Sequence, residues 1–251
     1  MVTTAAAAVV GVLAGATLTF LYQKSKMRNS TCSITGRTTA PSSTRLGQIL
    51  SFLRESDKLK LVERSVYVSD CQRKESSAEH SWHLAVMYMA LRKDIRFSVH
   101  DINQLRMLEM LLVHDLVEVY AGDTPMLENV TTDSSTGLLV EDDQKRARKQ
   151  EEEAQAAERL FSHLPDDLAI EFRGLWDEFE LRQTPTAKVA KGLDKLHCLV
   201  QNSCCNGMDY KAYNSTYGNE MPLITKYVDF DPALMLLAEM LLGDAKKQGW
   251  I

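Results

Sequence analysis

The 251-residue sequence has little that a secreted or nucleic-acid-binding protein needs. Its five cysteines are odd in number and irregularly spaced, which argues against a disulfide framework and indicates a reducing compartment. Aromatic residues make up only 7%, while 45% of residues are apolar and 25% charged, which is typical of a globular protein. From residue 45 on, 34 acidic groups outnumber 25 basic ones, so no nucleic-acid partner is expected.

Acidic residues are absent from the first 44 positions, which differ from the rest of the chain. Residues 5–22 carry no charge, and as a helix they would be about 27 Å long, close to the thickness of a bilayer core. The basic cluster Lys24, Lys26 and Arg28 follows, which predicts a single-pass membrane anchor with a cytosolic body. The alternative is an organelle-targeting segment that is removed. Residues 29–44 are rich in Ser and Thr and predict a flexible tether.

Apolar residues after position 44 recur at helical spacing, and few stretches alternate. This pattern predicts an all-α domain of about seven helices over 45–251, preceded by the hydrophobic helix of the anchor segment 1–28. The oligomeric state is left open, with a homodimer among the alternatives. The helical positions are 45–58, Leu84–Leu91, Leu105–Leu116, 141–161, Leu168–Phe179, Val189–Val200 and Leu234–Leu241.

His80 is a polar residue on a face that is otherwise apolar. Ser76 and Glu79 have the spacing of a capping box, which predicts that the helix begins just before His80. His80 precedes Leu84 and Met87 by one and two turns, so its side chain is expected on the buried face. A hydrogen-bonded core histidine is the simpler interpretation of a lone residue of this kind. His83 is a rival candidate on a neighbouring stripe.

The dipeptide His114-Asp115 follows a strongly apolar run, Met107–Val113, which predicts that it is buried. A buried Asp beside a buried His is costly unless the pair is matched by other charges or binds a metal. Glu118 lies four residues after His114 and three after Asp115, so on a helix its carboxylate would face the same side. His100-Asp101 repeats the dipeptide, but it precedes a predicted helix, and we interpret Asp101 as its N-cap.

Two further acids complete the set of candidates. Asp123 lies in Gly122-Asp123-Thr124-Pro125, where Gly and Pro end the helix, and a turn Asp bonded to its own backbone is the alternative. Asp194 lies in an apolar helix, where a salt bridge with Lys191 is the alternative to metal binding. Imidazole and carboxylate ligands together suit a divalent first-row metal with open positions for water and substrate.

These segments resemble the HD-domain metal-dependent phosphohydrolases. The similarity is to the 5'-deoxynucleotidase branch, which includes the bacterial YfbR-like enzymes and eukaryotic HD domain-containing protein 2. The matching stretches are LKLVERSVYVSD at 59–70, AEHSWHLAVM at 78–87, LLVHDLVEVYAGDTP at 111–125 and AKGLDKLHCLVQN at 190–202. The resemblance implies a helical fold and the 5'-dephosphorylation of (deoxy)nucleoside monophosphates.

The resemblance also implies one divalent cation (Mn, Co, Mg or Fe), and it assigns roles to residues of this chain. The implied metal ligands are His80, His114, Asp115 and Asp194. Glu118 is implied as the acid or base near the attacking water, and Asp123 as a group on the substrate side.

The sequence departs from the family at the Arg-Trp pair that contacts the nucleotide. Arg64 matches the Arg, but no Trp follows it in Glu63-Arg64-Ser65-Val66-Tyr67. Arg64 is nevertheless the foremost candidate to bind phosphate, and Lys191, Arg73 and Lys74 are the others. Two other functions are therefore kept as alternatives. One is an HD phosphodiesterase acting on another phosphorylated small molecule, and the other is a membrane-tethered scaffold with a vestigial site.

Overall fold

Helices make up most of the described chain in this computed structural model. The structure describes residues 42–97, 100–125, 128, 130–132, 135 and 139–251. The helices in these ranges are α1 (Ser43–Ser56), α2 (Ser77–Leu91), α3 (Gln104–Val113), α4 (Glu118–Ala121), α5 (Asp143–Phe161), α6 (Asp166–Leu181), α7 (Pro185–Cys204), α8 (Met208–Ala212), α9 (Tyr217–Val228) and α10 (Pro232–Lys247). The prediction of a mostly helical body is thus confirmed, but α8 and α9 were not among the roughly seven predicted helices.

Two small antiparallel hairpins accompany the helices, which the all-α prediction did not include. One pairs β1 (Glu63–Tyr67) with β2 (Lys74–Ser76), and the other pairs β3 (Val130–Thr132) with β4 (Leu139–Glu141). A single 3₁₀ turn, Asp57–Leu61, connects α1 to β1. The strand β1 follows this turn almost directly and contacts α7, so residue 64 lies beside that helix.

The helix α7 is the centre of the fold. Thr184 caps it, Pro185 occupies its first turn, and twelve of its 20 residues are buried. It packs against α2, α3, α6, α9 and α10. Gly192 permits one of these approaches, because a Cβ atom there would lie 2.8 Å from the carbonyl oxygen of Tyr227 in α9.

The start of α1 differs slightly from the sequence prediction. Ser42 caps the helix by accepting the backbone N–H of Arg45, so α1 begins at Ser43 and includes the last two residues of the predicted tether. The guanidinium of Arg45 then binds both carboxylate oxygens of Asp167, at 2.6 and 2.8 Å. The predicted anchor (1–28) and residues 29–41 of the tether lie outside the described residues. Within the described ranges, every helix is too short or too polar to cross a membrane.

Asp231 fixes the loop after α2 to the start of α10. Its fully buried carboxylate accepts the N–H groups of Arg96 and Phe97 through Oδ2, at 2.6 and 2.8 Å. Through Oδ1 it accepts those of Ala233 and Leu234 in the first turn of α10. One side chain thus caps a helix and holds a loop that is more than 130 residues away in sequence.

Candidate active site

His80 is held at the centre of the site by the start of α2. The capping box between Ser76 and Glu79 is present, as the sequence predicted. His80 is fully buried, and burial, with Arg64 nearby, lowers its pKa to about 4. The ring is therefore neutral at physiological pH. Its Nε2 atom makes no hydrogen bond within the described chain.

The segment after α3 differs from the continuous helix that the sequence predicted. α3 ends at Val113, and residues 114–117 form a tight turn with hydrogen bonds between residues three apart. The N–H of Glu118 bonds the carbonyl oxygen of Asp115, which is the 3₁₀ pattern. Because residues i and i+3 eclipse in such a turn, the Asp115 and Glu118 side chains lie on one side.

His114 presents the nitrogen that a metal would need. Its Nδ1 lies 3.0 Å from the carbonyl oxygen of Leu111, which can only accept a hydrogen bond. In a neutral ring the hydrogen is therefore on Nδ1, and Nε2 keeps its lone pair. Nε2 is buried without a hydrogen bond in the described part of the chain, 3.1 Å from Oδ1 of Asp115.

Asp194 of α7 closes the group from the opposite side. Its Oδ1 is 3.2 Å from Nε2 of His80, which is in turn 3.6 Å from Oδ2 of Asp115. Burial alone would raise the pKa of Asp194, but the ammonium group of Lys195, 3.1 Å away, outweighs it and holds the pKa well below its usual range. The pKa of Asp115 is likewise lowered, because His114 and Arg64 outweigh its burial.

The four predicted ligands thus come together. His80, His114 and Asp115 offer atoms within 4.8 Å of one another, and Asp194 adjoins them. Two imidazole nitrogens without hydrogen-bond partners, facing two ionised carboxylates, fit a divalent cation by donor chemistry and burial. The residues present therefore suit the metal that the sequence predicts.

Arg64, the residue that the sequence analysis placed first for binding phosphate, lies beside these ligands. It is buried, and its Nη1 is 2.9 Å from Oδ2 of Asp115 and 3.6 Å from Oδ1 of Asp123. Its Nε lies 3.7 Å from Glu75. Asp123 is therefore placed next to the predicted phosphate-binding residue, and both line the same cavity as Asp115 and Asp194.

Glu118 is buried within the same cavity wall. Its Oε2 accepts the hydroxyl hydrogen of Ser77 at 2.5 Å. Burial and the charge of Asp115 raise the pKa of Glu118 well above its ordinary value. Burial likewise raises the pKa of Asp123. Both carboxyls can thus hold or release a proton closer to neutral pH than an exposed acid can.

The sequence profile of the HD domain matches residues 56–229 of this chain, which span every one of these side chains. The chain belongs to the HD domain family. Among relatives, human 5'-deoxynucleotidase HDDC2 is 30% identical over 177 residues, covering 68% of this chain and 77% of the human protein. The fission-yeast 5'-deoxynucleotidase hdd1 is 26% identical over 157 residues, covering 61% of this chain and 70% of the yeast protein.

Solved structures of HD proteins resemble the fold as well. A predicted metal-dependent phosphohydrolase from Magnetospirillum magnetotacticum shares 32% identity with a TM-score of 0.69, covering 83% of this chain and 98% of that one. An HD-domain phosphohydrolase from Listeria innocua, at 18% identity and a TM-score of 0.53, supports the fold alone. The HD assignment by resemblance is thereby confirmed.

Other predicted residues of this HD domain lie elsewhere or have other partners. Lys191 lines the cavity, but it pairs with Glu180 at 3.0 Å, and Lys195 rather than Lys191 bonds Asp194. Arg73 is bound to Glu79 at the exposed start of α2.

The second His-Asp dipeptide is exposed, as expected of a helix start. The prediction that Asp101 caps the following helix is wrong, however. Asn103 caps α3 by accepting the N–H of Arg106, because the helix begins two residues later than expected.

Two residues of α7 that lie at the site were not predicted from the sequence. Lys195 follows Asp194 directly and is half-buried against it. A lysine next to an acid in the sequence does not by itself predict such a contact. His197 is fully buried three residues after Asp194 and contacts both His80 and His83. The i, i+3 spacing of Asp194 and His197 on an apolar helix was the signal that could have revealed it.

Proposed function

We propose that this chain hydrolyses phosphate monoesters, removing the 5'-phosphate of (deoxy)nucleoside monophosphates. The observation that carries the proposal is the pair of unbonded Nε2 atoms of His80 and His114, which face Asp115 and Asp194 beside Arg64. The relatives named 5'-deoxynucleotidase support the nucleotide as the substrate class. The HD domain supports hydrolysis of a phosphate ester.

His80, His114, Asp115 and Asp194 would hold one divalent cation, which we propose to be Mn, Co, Mg or Fe. A bound cation of this kind supplies positive charge for the phosphate and lowers the pKa of water. Side chains of the chain itself would hold the ion, bind the phosphate and transfer the proton. The two neutral imidazoles and two carboxylates would leave the bound ion with little excess charge, and burial would keep its ligands in place.

Arg64 would bind the phosphate group, and Glu118 would act as the base. The guanidinium of Arg64 is a donor in a buried, acid-lined cavity, where a phosphate would replace part of its contact with Asp115 and Asp123. Glu118, oriented by Ser77, would accept a proton from the attacking water. Asp123 would face the substrate, and Lys191 would add positive charge at the same cavity.

The test is phosphate release by metal-free protein supplied with Mn, Co, Mg or Fe. Nucleoside 5'-monophosphates should release phosphate, and cyclic nucleotides and other phosphodiesters should not. Hydrolysis of the diesters alone would favour the phosphodiesterase alternative. Failure with every substrate, together with normal metal binding, would favour the scaffold alternative.

Matched variants connect this activity to the site. His114→Ala should lose bound metal and phosphate release together. His100→Ala, in the second His-Asp dipeptide, should retain both, because its side chain is exposed in the loop before α3. Loss of metal from the His100 variant would place the ion at the other pair.

We also propose that residues 1–28 anchor the chain in a membrane, with residues 45–251 as a cytosolic catalytic body. The uncharged stretch 5–22 and its basic flank support this arrangement. Full-length protein should sediment with membranes, and protease added outside intact organelles should digest the body. Protection of the body would favour a targeting segment. Sedimentation analysis of the body would test the homodimer.

A further inference from the structure

His197 is a buried histidine that none of the roles above uses. It lies on α7, fully buried, and its two ring nitrogens face different partners. Nδ1 is 3.0 Å from Nδ1 of His80. Nε2 is 2.9 Å from Nδ1 of His83 and 3.5 Å from a carboxylate oxygen of Glu75.

The number of hydrogens on these rings restricts how they bond. A neutral imidazole carries one N–H and one lone pair, and a metal binds only through the lone pair. If Nε2 of His80 binds the cation, the hydrogen of His80 must be on Nδ1. That N–H then points at Nδ1 of His197, which must accept it. The hydrogen of His197 is consequently on Nε2, where His83 and Glu75 can accept it.

We propose that His197 is a positioning residue that fixes the hydrogen of His80 on Nδ1 and thereby keeps its Nε2 lone pair directed at the metal. His83 and Glu75 complete the chain by accepting the hydrogen of His197. Metal-binding histidines usually bond their second nitrogen to a carboxylate, a carbonyl or water. His114 follows this rule through the Leu111 carbonyl, whereas His80 uses another imidazole.

The same hydrogen count makes two clusters in this molecule mutually exclusive. Glu75, His83 and His197 also offer atoms within 4.8 Å of one another that could hold a cation. A cation there would need the lone pair on Nε2 of His197, which moves its hydrogen to Nδ1. His80 would then have to carry its own hydrogen on Nε2, against the first site. With neutral rings, only one cluster can be occupied, and we expect one cation per chain.

The inference rests on the proposed metal site but not on the substrate, so its test is metal binding itself. Zn²⁺ or Co²⁺ is titrated into metal-free full-length protein, and affinity and stoichiometry are measured by calorimetry. His197→Leu removes the acceptor for His80 and should weaken binding by about 10- to 100-fold. His197→Gln, whose amide can accept at one end and donate at the other, should restore most of the affinity.

The matched control is His163→Leu. His163 is also partly buried, but it bonds Ser51 in α1 and lies outside both clusters. This variant should bind metal as the wild type does. A folded His197→Leu variant with wild-type affinity, or a Gln variant as weak as the Leu variant, would overturn the positioning role.

A second measurement needs no variant and remains decisive if His197→Leu does not fold. Nitrogen-15 spectra of histidine side chains in the zinc-loaded wild type report which nitrogen of each ring carries hydrogen. We expect hydrogen on Nδ1 of His80 and on Nε2 of His197. The opposite pattern, or two zinc ions bound per chain with similar affinity, would refute the proposal. If metal binds as expected but no phosphate is released, the proposed function is wrong and the positioning role of His197 still holds.

Discussion

Glu118 is the residue whose substitution separates proton transfer from metal binding. It lies beside Asp115, bonds Ser77, and is placed outside the proposed ligand set. Glu118→Gln keeps the shape of the side chain and removes its basic oxygen, so phosphate release should fall by about 10²- to 10⁴-fold. Metal affinity, measured by calorimetry, should stay near the wild-type value.

The control for Glu118 is Ser77→Ala, which removes the hydroxyl that orients the carboxylate but keeps the carboxylate itself. Its rate should lie between those of the wild type and the Gln variant. A near-normal turnover of Glu118→Gln would exclude Glu118 from proton transfer and direct attention to Asp123.

The single residues that could be predicted from the sequence are polar residues that interrupt an apolar stretch. His80, His114 and Asp194 stand out because each is polar within an apolar stretch, so single segments identify them. His197 and Lys195 could not be assigned in this way. Their roles depend on which helices surround α7, and that packing is set by residues far away in the sequence.

Among the elements, helices with regular apolar spacing were predictable, and short or interrupted ones were not. α9 contains Pro222, which removes a backbone donor, and it was missed for that reason. The strands β2, β3 and β4 have three residues each, which is too few for alternation to be recognised, and β1 has only five. The turn at 114–117 was read as helix because its apolar spacing continues that of α3.

The short helix α8 provides a prediction about pH. Burial raises the pKa of Asp209 to about 6, although Lys74 opposes the shift. Between about pH 4 and pH 6, the folded state therefore holds a proton that the unfolded state has released. The free energy of unfolding consequently falls as pH rises through this window. Asp209→Asn removes this loss, so it should raise the unfolding temperature relative to the wild type more at pH 8 than at pH 5.

Thermal unfolding of the metal-free protein at the two pH values measures this difference, which should be on the order of a few degrees. Asp101→Asn is the matched control, because Asp101 is exposed. Equal effects of Asp209→Asn at both pH values would show that its carboxyl titrates alike in the folded and unfolded states.

For the whole molecule, the boundary of the folded body can be placed from the cap of α1. A chain that begins at Ser42 keeps the hydroxyl that accepts the Arg45 N–H, as well as the contact between Arg45 and Asp167. We expect this chain to fold and to release phosphate at the full-length rate. A chain that begins at Thr44 loses the cap and should unfold at a lower temperature, since such caps contribute about 1 kcal/mol.

Asp231 has a consequence for the exchange of amide hydrogens with solvent. Arg96 and Phe97 belong to a connecting loop, where exchange is ordinarily fast, yet their N–H groups are bound to a buried carboxylate. The same side chain also holds the N–H groups of Ala233 and Leu234, so any movement of the Asp231 carboxylate releases all four. In deuterium oxide these four amides should therefore exchange slowly and at a common rate, and Asp231→Ala should accelerate all four.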